Sequence, residues 1–288
     1  MPDKEKYAVK TLYVADLDGT LFTPEKTVSP ESCQIINRLV GEGMAFTVAT
    51  ARTIATVRPL LEGLDLRWPV IMMNGVCTWH PLTQRFIDVA YLDTEAASRV
   101  LELLKAYRLQ AFLYTLQHDE LSTYYEELSA PTAKTFVDER VKLGKVFTQI
   151  DDLRRCLDRG IVYCSVSYPE EQLRPVYEEL KDDPRLHLAF YRDVYSEELW
   201  YLEVCASGAS KHRAVQTLKD KCEFERVVCF GDNYNDLPMF EVSDESCAVA
   251  NAVEDVKCRA THVIGSNRED GVARYLESAW REKHEGVK

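Results

Sequence analysis

The sequence predicts an α/β protein whose parallel core sheet is interrupted by an inserted α+β segment. Three observations predict it. The opening stretch alternates short, β-rich apolar runs with amphipathic helical ones. The same alternation returns after Ser207. Between them, strand-like runs follow one another and helices come in pairs, a different rhythm. The division read from this is a first core part over 1–82, an inserted domain over 83–204 and a second core part over 205–288.

In order, "TLYVAD" (11–16) has the look of a short buried strand. "SPESCQIINRLVGEG" (29–43) opens on a Ser N-cap, places Pro30 in the first helical position, spaces Ile35, Ile36, Leu39 and Val40 along one face and stops at glycine. "AFTVAT" (45–50) reads as a second strand, "IATVRPLLEGL" (54–64) as a helix with Pro59 in its first turn or at a kink, and "PVIMMN" (69–74) as a third strand. Strand–helix–strand order implies right-handed crossovers and parallel pairing.

In the insert, strands are predicted over 85–92, 110–115, 121–126, 160–168, 185–192 and 199–205, with helices over 94–108, 131–144 and 169–183. Consecutive strands suggest an antiparallel sheet. Beyond it, 211–221 reads as a helix, 226–232 as a strand, 235–242 as a short helix, 246–251 as a strand and 271–283 as a terminal helix.

Charge and cysteine usage bound the function. With 35 Lys+Arg against 47 Asp+Glu, the net charge of −12 argues against a sequence-independent grip on nucleic acid. An anionic substrate would need a local cation or lysine. No apolar run is long enough to span a membrane, and the start lacks the apolar core of a signal peptide, so a cytoplasmic protein is expected. The nine cysteines form no C-x-x-C pair and several lie in apolar runs, which fits reduced core thiols.

The chemistry gathers at strand ends. Asp16 and Asp18 follow the first strand, Thr50 ends the second, Asn74 ends the third, and Asp232 ends "VVCFG" with Asn235 and Asp236 just behind. In an open parallel sheet these ends face one crevice, where ligands bind. So many carboxylates would repel one another and raise each other's pKa unless a divalent cation joined them. All-oxygen donors suit Mg²⁺, and neither His nor Cys clusters as zinc would want. Asp16 then reads as a nucleophile and Asp18 as a general acid/base. Gly19 permits the turn between strand and crevice. Lys211, opening a helix, brings a cation and helix amides to an anion. Thr50 would donate to a phosphoryl oxygen.

"DLDGTL" at 16–21, Thr50, Lys211 and "GDNYND" at 231–236 resemble the four motifs of the haloacid dehalogenase superfamily, in the same order. The insert between the second and third motifs resembles the C2-capped branch. "TAR" (50–52), "NG" (74–75), "LEVCASGASK" (202–211), "GDNYNDLPMF" and "SNREDGVA" (266–273) look like the Cof-type phosphatases. The resemblance covers essentially the whole chain. It implies a Rossmann-like core with a mobile cap that covers the site and reads the rest of the substrate. It implies that Asp16 becomes an aspartyl-phosphate and Asp18 is the acid/base. It further implies that Mg²⁺ is held by Asp16, the Asp18 carbonyl and Asp232 with Asp236 in support, and that the phosphoryl group is held by Thr50 and Lys211 with Asn235 close by.

Two positions depart from the family. Ala51 stands where glycine is usual in the second motif, and His212 follows the motif lysine where glycine is usual; His212 is expected on the helix surface. Asn74 and Ala51 are expected beside the substrate. The expected activity is Mg²⁺-dependent hydrolysis of small soluble phosphates, sugar phosphates first, FMN or pyridoxal phosphate behind them. The expected assembly is a monomer or weak homodimer. A sugar phosphomutase-like phosphotransferase and a non-catalytic sugar-phosphate-binding protein are the competing readings.

Overall fold

In a computed structural model the described residues are 10–128, 131–142, 144–192 and 198–285. Strand β1 (Thr11–Ala15) leads into helix α1 (Pro30–Gly41), β2 (Ala45–Val48), the short α2 (Ile54–Val57), β3 (Val70–Met72), β4 (Cys77–His80) and β5 (Arg85–Val89). Then follow α3 (Thr94–Ala106), β6 (Phe112–Gln117), β7 (Glu120–Tyr125), α4 (Pro131–Val141), β8 (Phe147–Gln149), β9 (Ile161–Tyr168), α5 (Glu170–Leu180), β10 (Leu186–Arg192) and β11 (Trp200–Ala206). The chain closes with α6 (Lys211–Lys221), β12 (Arg226–Gly231), α7 (Leu237–Val242), β13 (Glu245–Val249), α8 (Glu254–Arg259), β14 (His262–Ile264) and α9 (Gly271–Glu285). Among the described residues no helix is long and apolar enough to cross a membrane.

The described residues fall into two units. One comprises the described residues up to Thr53, Val57–Asp88 and those from Ser210 onward, the other Ile54–Thr56 and those between Val89 and Ala209. In the first, five strands lie in the order β14-β13-β12-β1-β2, all parallel. A parallel bridge between Ala49 and Ile71 adds β3, which turns back into β4 and β5. Leu12, Val14 and Ala15 are fully buried, which is why β1 reads as an unbroken apolar run. Ser29 caps α1 by accepting from the Ser32 amide at 2.9 Å, with Pro30 in the first turn.

The second unit carries a six-stranded sheet, β10-β11-β9-β6-β7-β8. Its pairs are antiparallel, as expected for an α+β insert, except β7 with β8, which is parallel. Helices α3 and α5 pack Val100, Leu101, Leu104, Leu173 and Val176 against Leu113, Cys164, Val166, Leu202 and Val204 on one sheet face. By alternation Tyr114, Tyr163 and Glu203 stand on the other face. The β6–β7 hairpin closes through His118 and Asp119, both with positive φ, the turn whose twist matches the strands.

The helix expected over 54–64 is the largest departure. Only Ile54–Val57 is α-helical, followed by a 3₁₀ turn at Arg58–Leu60. Arg58 precedes Pro59, and the residue before proline is pushed out of the α region. Pro175, by contrast, is accommodated inside α5. Strands β4, β8 and β14 and helix α8 were not foreseen; each is six residues or shorter.

Candidate active site

Strand β1 ends one residue before Asp16, whose amide continues the ladder by donating to the Phe230 carbonyl at 2.9 Å. The partner strand, β12, ends one residue before Asp232, so the parallel register sets both carboxylates at the same sheet edge. The chain turns at once after Asp16. Gly19 takes φ +85°, and a Cβ there would lie 2.3 Å from Oδ2 of Asp232, so only glycine fits. Thr20 Oγ1 donates to Asp232 at 3.0 Å. Asn251 Nδ2 donates to the Gly19 carbonyl at 2.7 Å, and Asn267 Nδ2 donates to the Phe22 carbonyl at 2.8 Å, bracing the turn from both sides.

Lys211 opens α6, where Ser210 caps the helix by accepting from the Arg213 amide at 3.1 Å. Its side chain is buried, and its ammonium lies 2.6 Å from Asp16 and 2.6 Å from Asp236. The other oxygen of Asp236 accepts from the amides of Asp232 and Asn233 at 2.9 and 3.1 Å. One oxygen each of Asp16, Asp232 and Asp236 fall within 4.8 Å of one another.

Two carboxylates therefore share one ammonium, with a third, Asp232, close by. Burial, reinforced by Asp236, holds the Asp16 carboxyl well above the usual carboxylate range, with Lys211 only partly opposing. Burial and Asp236 push Asp232 up to about 6. Burial works against the charge of Lys211, but Asp16 and Asp236 outweigh it and its pKa is raised.

The remaining predicted residues fall as follows. Asp18 is half exposed and meets Arg52 in a bidentate pair, Nε and Nη2 each donating to one carboxylate oxygen at 2.7 and 2.5 Å. Thr50 is buried, and its hydroxyl oxygen accepts from the Arg52 amide at 3.1 Å, leaving the hydroxyl hydrogen to donate elsewhere. Ala51 is exposed and is not among the residues with positive φ, so its methyl sits where glycine's freedom is not needed. Asn74, at φ +54°, accepts from Asn235 Nδ2 at 3.4 Å. Gly75 presses against the start of α6, since a Cβ there would lie 2.1 Å from the Ser210 carbonyl oxygen. His212 is half exposed, 3.7 Å from Glu241, on the helix surface as expected. All nine cysteines are free thiols.

Arg52, Thr20, Asn251 and Asn267 escaped the sequence reading. Arg52 stands two residues after Thr50 inside the "TAR" triplet, so its place there was the available signal; its partner lies 34 residues away. Asn267 lies inside the "SNREDGVA" stretch, which was its available signal, whereas Asn251 stands in no motif; what both brace is loop backbone more than 200 residues distant in the chain.

The model of the haloacid dehalogenase-like hydrolases matches residues 13–276. The chain is 29% identical over 281 residues to the 5-amino-6-(5-phospho-D-ribitylamino)uracil phosphatase YwtE of Bacillus subtilis, covering 91% of this chain and 95% of that protein. It is 25% identical to the pyridoxal phosphate phosphatase YbhA of Escherichia coli, covering 91% and 96%. The crystal structure of a haloacid dehalogenase-like hydrolase from Bacteroides thetaiotaomicron superposes with a TM-score of 0.77 at 23% identity, over 94% of this chain and 99% of that one. A family match that begins within β1 and ends within α9 supplies the assignment: the chain belongs to the haloacid dehalogenase-like hydrolases, as the resemblance of its motifs to the Cof-type phosphatases implies.

Proposed function

We propose that the protein is a Mg²⁺-dependent phosphomonoester hydrolase of small soluble phosphates that works through an aspartyl-phosphate on Asp16. Its family makes it a hydrolase. The observation that supports this bond and mechanism is a pairing within one turn: a buried Asp16 held by Lys211, and two residues on an exposed Asp18 aligned by Arg52. Asp16 attacks phosphorus in line with the ester oxygen. Asp18 protonates the departing alcohol, then takes a proton from the water that cleaves the aspartyl-phosphate, so Asp18 ends as it began. The Thr50 hydroxyl and the remaining Lys211 proton hold phosphoryl oxygens, with Asn235 and Asn74 at the rim beside Ala51.

The donor set fits Mg²⁺. It is all oxygen, and three carboxylates against one ammonium leave negative charge to be neutralised. Asp16, Asp232 and the Asp18 carbonyl would hold the ion. Asp236, with one oxygen on Lys211 and the other on two amides, supports the loop. When bound, Mg²⁺ supplies neutralising charge beside the phosphoryl group.

Sugar phosphates and phosphorylated heterocycles of the FMN and pyridoxal phosphate kind are the substrate classes to screen. The two relatives are named for a phosphorylated ribitylamino-uracil and for pyridoxal phosphate. The test is phosphate release from p-nitrophenyl phosphate and from such a panel, with and without Mg²⁺. Turnover that needs Mg²⁺ and vanishes in Asp18→Asn on alkyl phosphates is expected. Full activity in Asp16→Asn would overturn the mechanism.

A further inference from the structure

We infer, on the hydrolase reading above, that Asn251 is a positioning residue for Asp18: its side-chain amide, donating to the Gly19 carbonyl, holds the turn that presents the acid/base to the reaction. Asp18 lies in the turn Leu17–Leu21, between two anchored ends. On one side the Asp16 amide is fixed to the Phe230 carbonyl. On the other, Thr20 Oγ1 donates to Asp232 and the Phe22 carbonyl accepts from Asn267 Nδ2. Two backbone bonds close the turn, from the Leu21 amide to the Asp16 carbonyl at 3.2 Å and from the Phe22 amide to the Leu17 carbonyl at 2.8 Å. Neither involves the Gly19 carbonyl. Gly19, at φ +85° and without a Cβ, has the widest choice of conformations in the turn. A donor on its carbonyl selects one of them, and Asn251 Nδ2, at 2.7 Å, is that donor.

Asn251 is itself held before it reaches the turn. It follows β13 by two residues. The Ala252 amide closes its loop on the Val249 carbonyl at 2.9 Å, and the Val253 amide donates to the Asp232 carbonyl at 3.0 Å. Asn251 Oδ1 accepts from the Asn267 amide at 2.9 Å. With the oxygen engaged there, the amide nitrogen is left to face Gly19. One loop therefore ties the turn of Asp18 to the strand end that carries Asp232. Arg52 meets the Asp18 carboxylate from the side-chain end, and Asn251 acts on its backbone end. All of these residues lie in the first unit.

Stability and positioning separate here. Asn251 is exposed, so water takes the place of its hydrogen bond when the amide is removed, and folding loses little. Water does not restore the direction that the amide imposes on Gly19. A displacement of about 1 Å in a reacting group costs about 10²-fold in rate.

The test is steady-state kinetics of Asn251→Leu and Asn251→Asp at saturating Mg²⁺, on an alkyl phosphate and on p-nitrophenyl phosphate. The leucine removes the amide at nearly the same size. The aspartate keeps an acceptor for the Asn267 amide and loses only the donor. Both variants should melt within about 4 °C of wild type. Both should lose about 10–100-fold in kcat on the alkyl ester and far less on the nitrophenyl ester. KM in Asn251→Leu should stay within about threefold of wild type. Unchanged kcat in both variants, or equal losses on both esters, would overturn the role. Hydrogen exchange reads the turn without turnover. The Leu21 and Phe22 amides should exchange at least about tenfold faster in Asn251→Asp, while those of β1 and β12 keep their rates. Unchanged exchange at Leu21 and Phe22 would also overturn it. A wild type that hydrolyses no phosphomonoester would count against the hydrolase reading, and the exchange result would still decide whether Asn251 holds the turn of Asp18.

Discussion

The ammonium of Lys211 lies 2.6 Å from Asp16, a residue 195 positions earlier, and the two side chains are only 1% and 7% exposed. This pair joins the first strand of the core to the helix that follows the insert. It also leaves Asp16 and Asp236 dependent on one buried cation.

Removing that cation should therefore destabilise the protein. In Lys211→Met two buried carboxylates lose their partner, a loss of about 3–5 kcal/mol in urea unfolding without metal. Turnover should fall at least about 100-fold. A variant as stable as wild type would mean that the carboxylates are neutral in the native state.

Asp16→Asn should behave in the opposite way. It removes a carboxyl that burial already holds high, so metal-free stability should stay within about 1 kcal/mol of wild type. Phosphate release should drop by at least about 10³-fold, because the nucleophile is gone. A large loss of stability with activity retained would reverse the assignment.

Arg52→Ala tests the alignment of Asp18. Acid catalysis matters for a poor leaving group and little for nitrophenolate. The variant should lose about 10–100-fold on an alkyl phosphate and far less on p-nitrophenyl phosphate. Equal losses on both would assign Arg52 to phosphate binding instead.

Mg²⁺ should stabilise the protein more as pH rises. Asp232 titrates near 6 in the fold against about 3.8 unfolded, raised by burial and Asp236. Between those values the native state holds the proton and the unfolded state does not. Metal-free stability from this group is thus present below about pH 4 and lost by about pH 6. The cation binds the deprotonated carboxylate, so the Tm increment from saturating Mg²⁺ should grow from pH 5 to pH 7.5. Equal increments would show that Asp232 is not a ligand.

Lys145→Met gives a second pH signature. The amine titrates near 7 in the fold and near 10.5 unfolded, so the buried lysine destabilises the protein most below about pH 7. That cost shrinks as pH rises to about 10.5. The methionine variant should be the more stable at pH 6, by an amount on the order of 4 kcal/mol or less, and the gain should fade towards pH 10. A gain independent of pH would reflect packing alone.

How far the sequence could be read varied with the length of each element. α6 was legible to the residue, 211–221, because a Ser cap, a polar face and a terminal cluster of lysines mark both ends. β14, three residues at the edge of the sheet, offered no period to detect. Residues 54–64 showed helical spacing, yet the Arg58-Pro59 dipeptide ended the helix after four residues. At the site, glycine and aspartate at strand ends were visible because turns and close approaches restrict residue type. Arg52 was not, because nothing in a local window says which carboxylate a long flexible cation will meet.

The sequence by itself determined the α/β core, the insert, and the set of strand-end residues Asp16, Asp18, Thr50, Asp232 and Asp236 with Lys211 at a helix start. Those follow from periodicity, capping and the steric needs of tight turns, which act over a few residues. Only the tertiary structure decided that Lys211 lies between Asp16 and Asp236, that Arg52 pairs with Asp18, and that Lys145 is buried with its ammonium on the Tyr114 hydroxyl. Those depend on strand register and burial, which set distances and dielectric between residues that the chain itself keeps far apart.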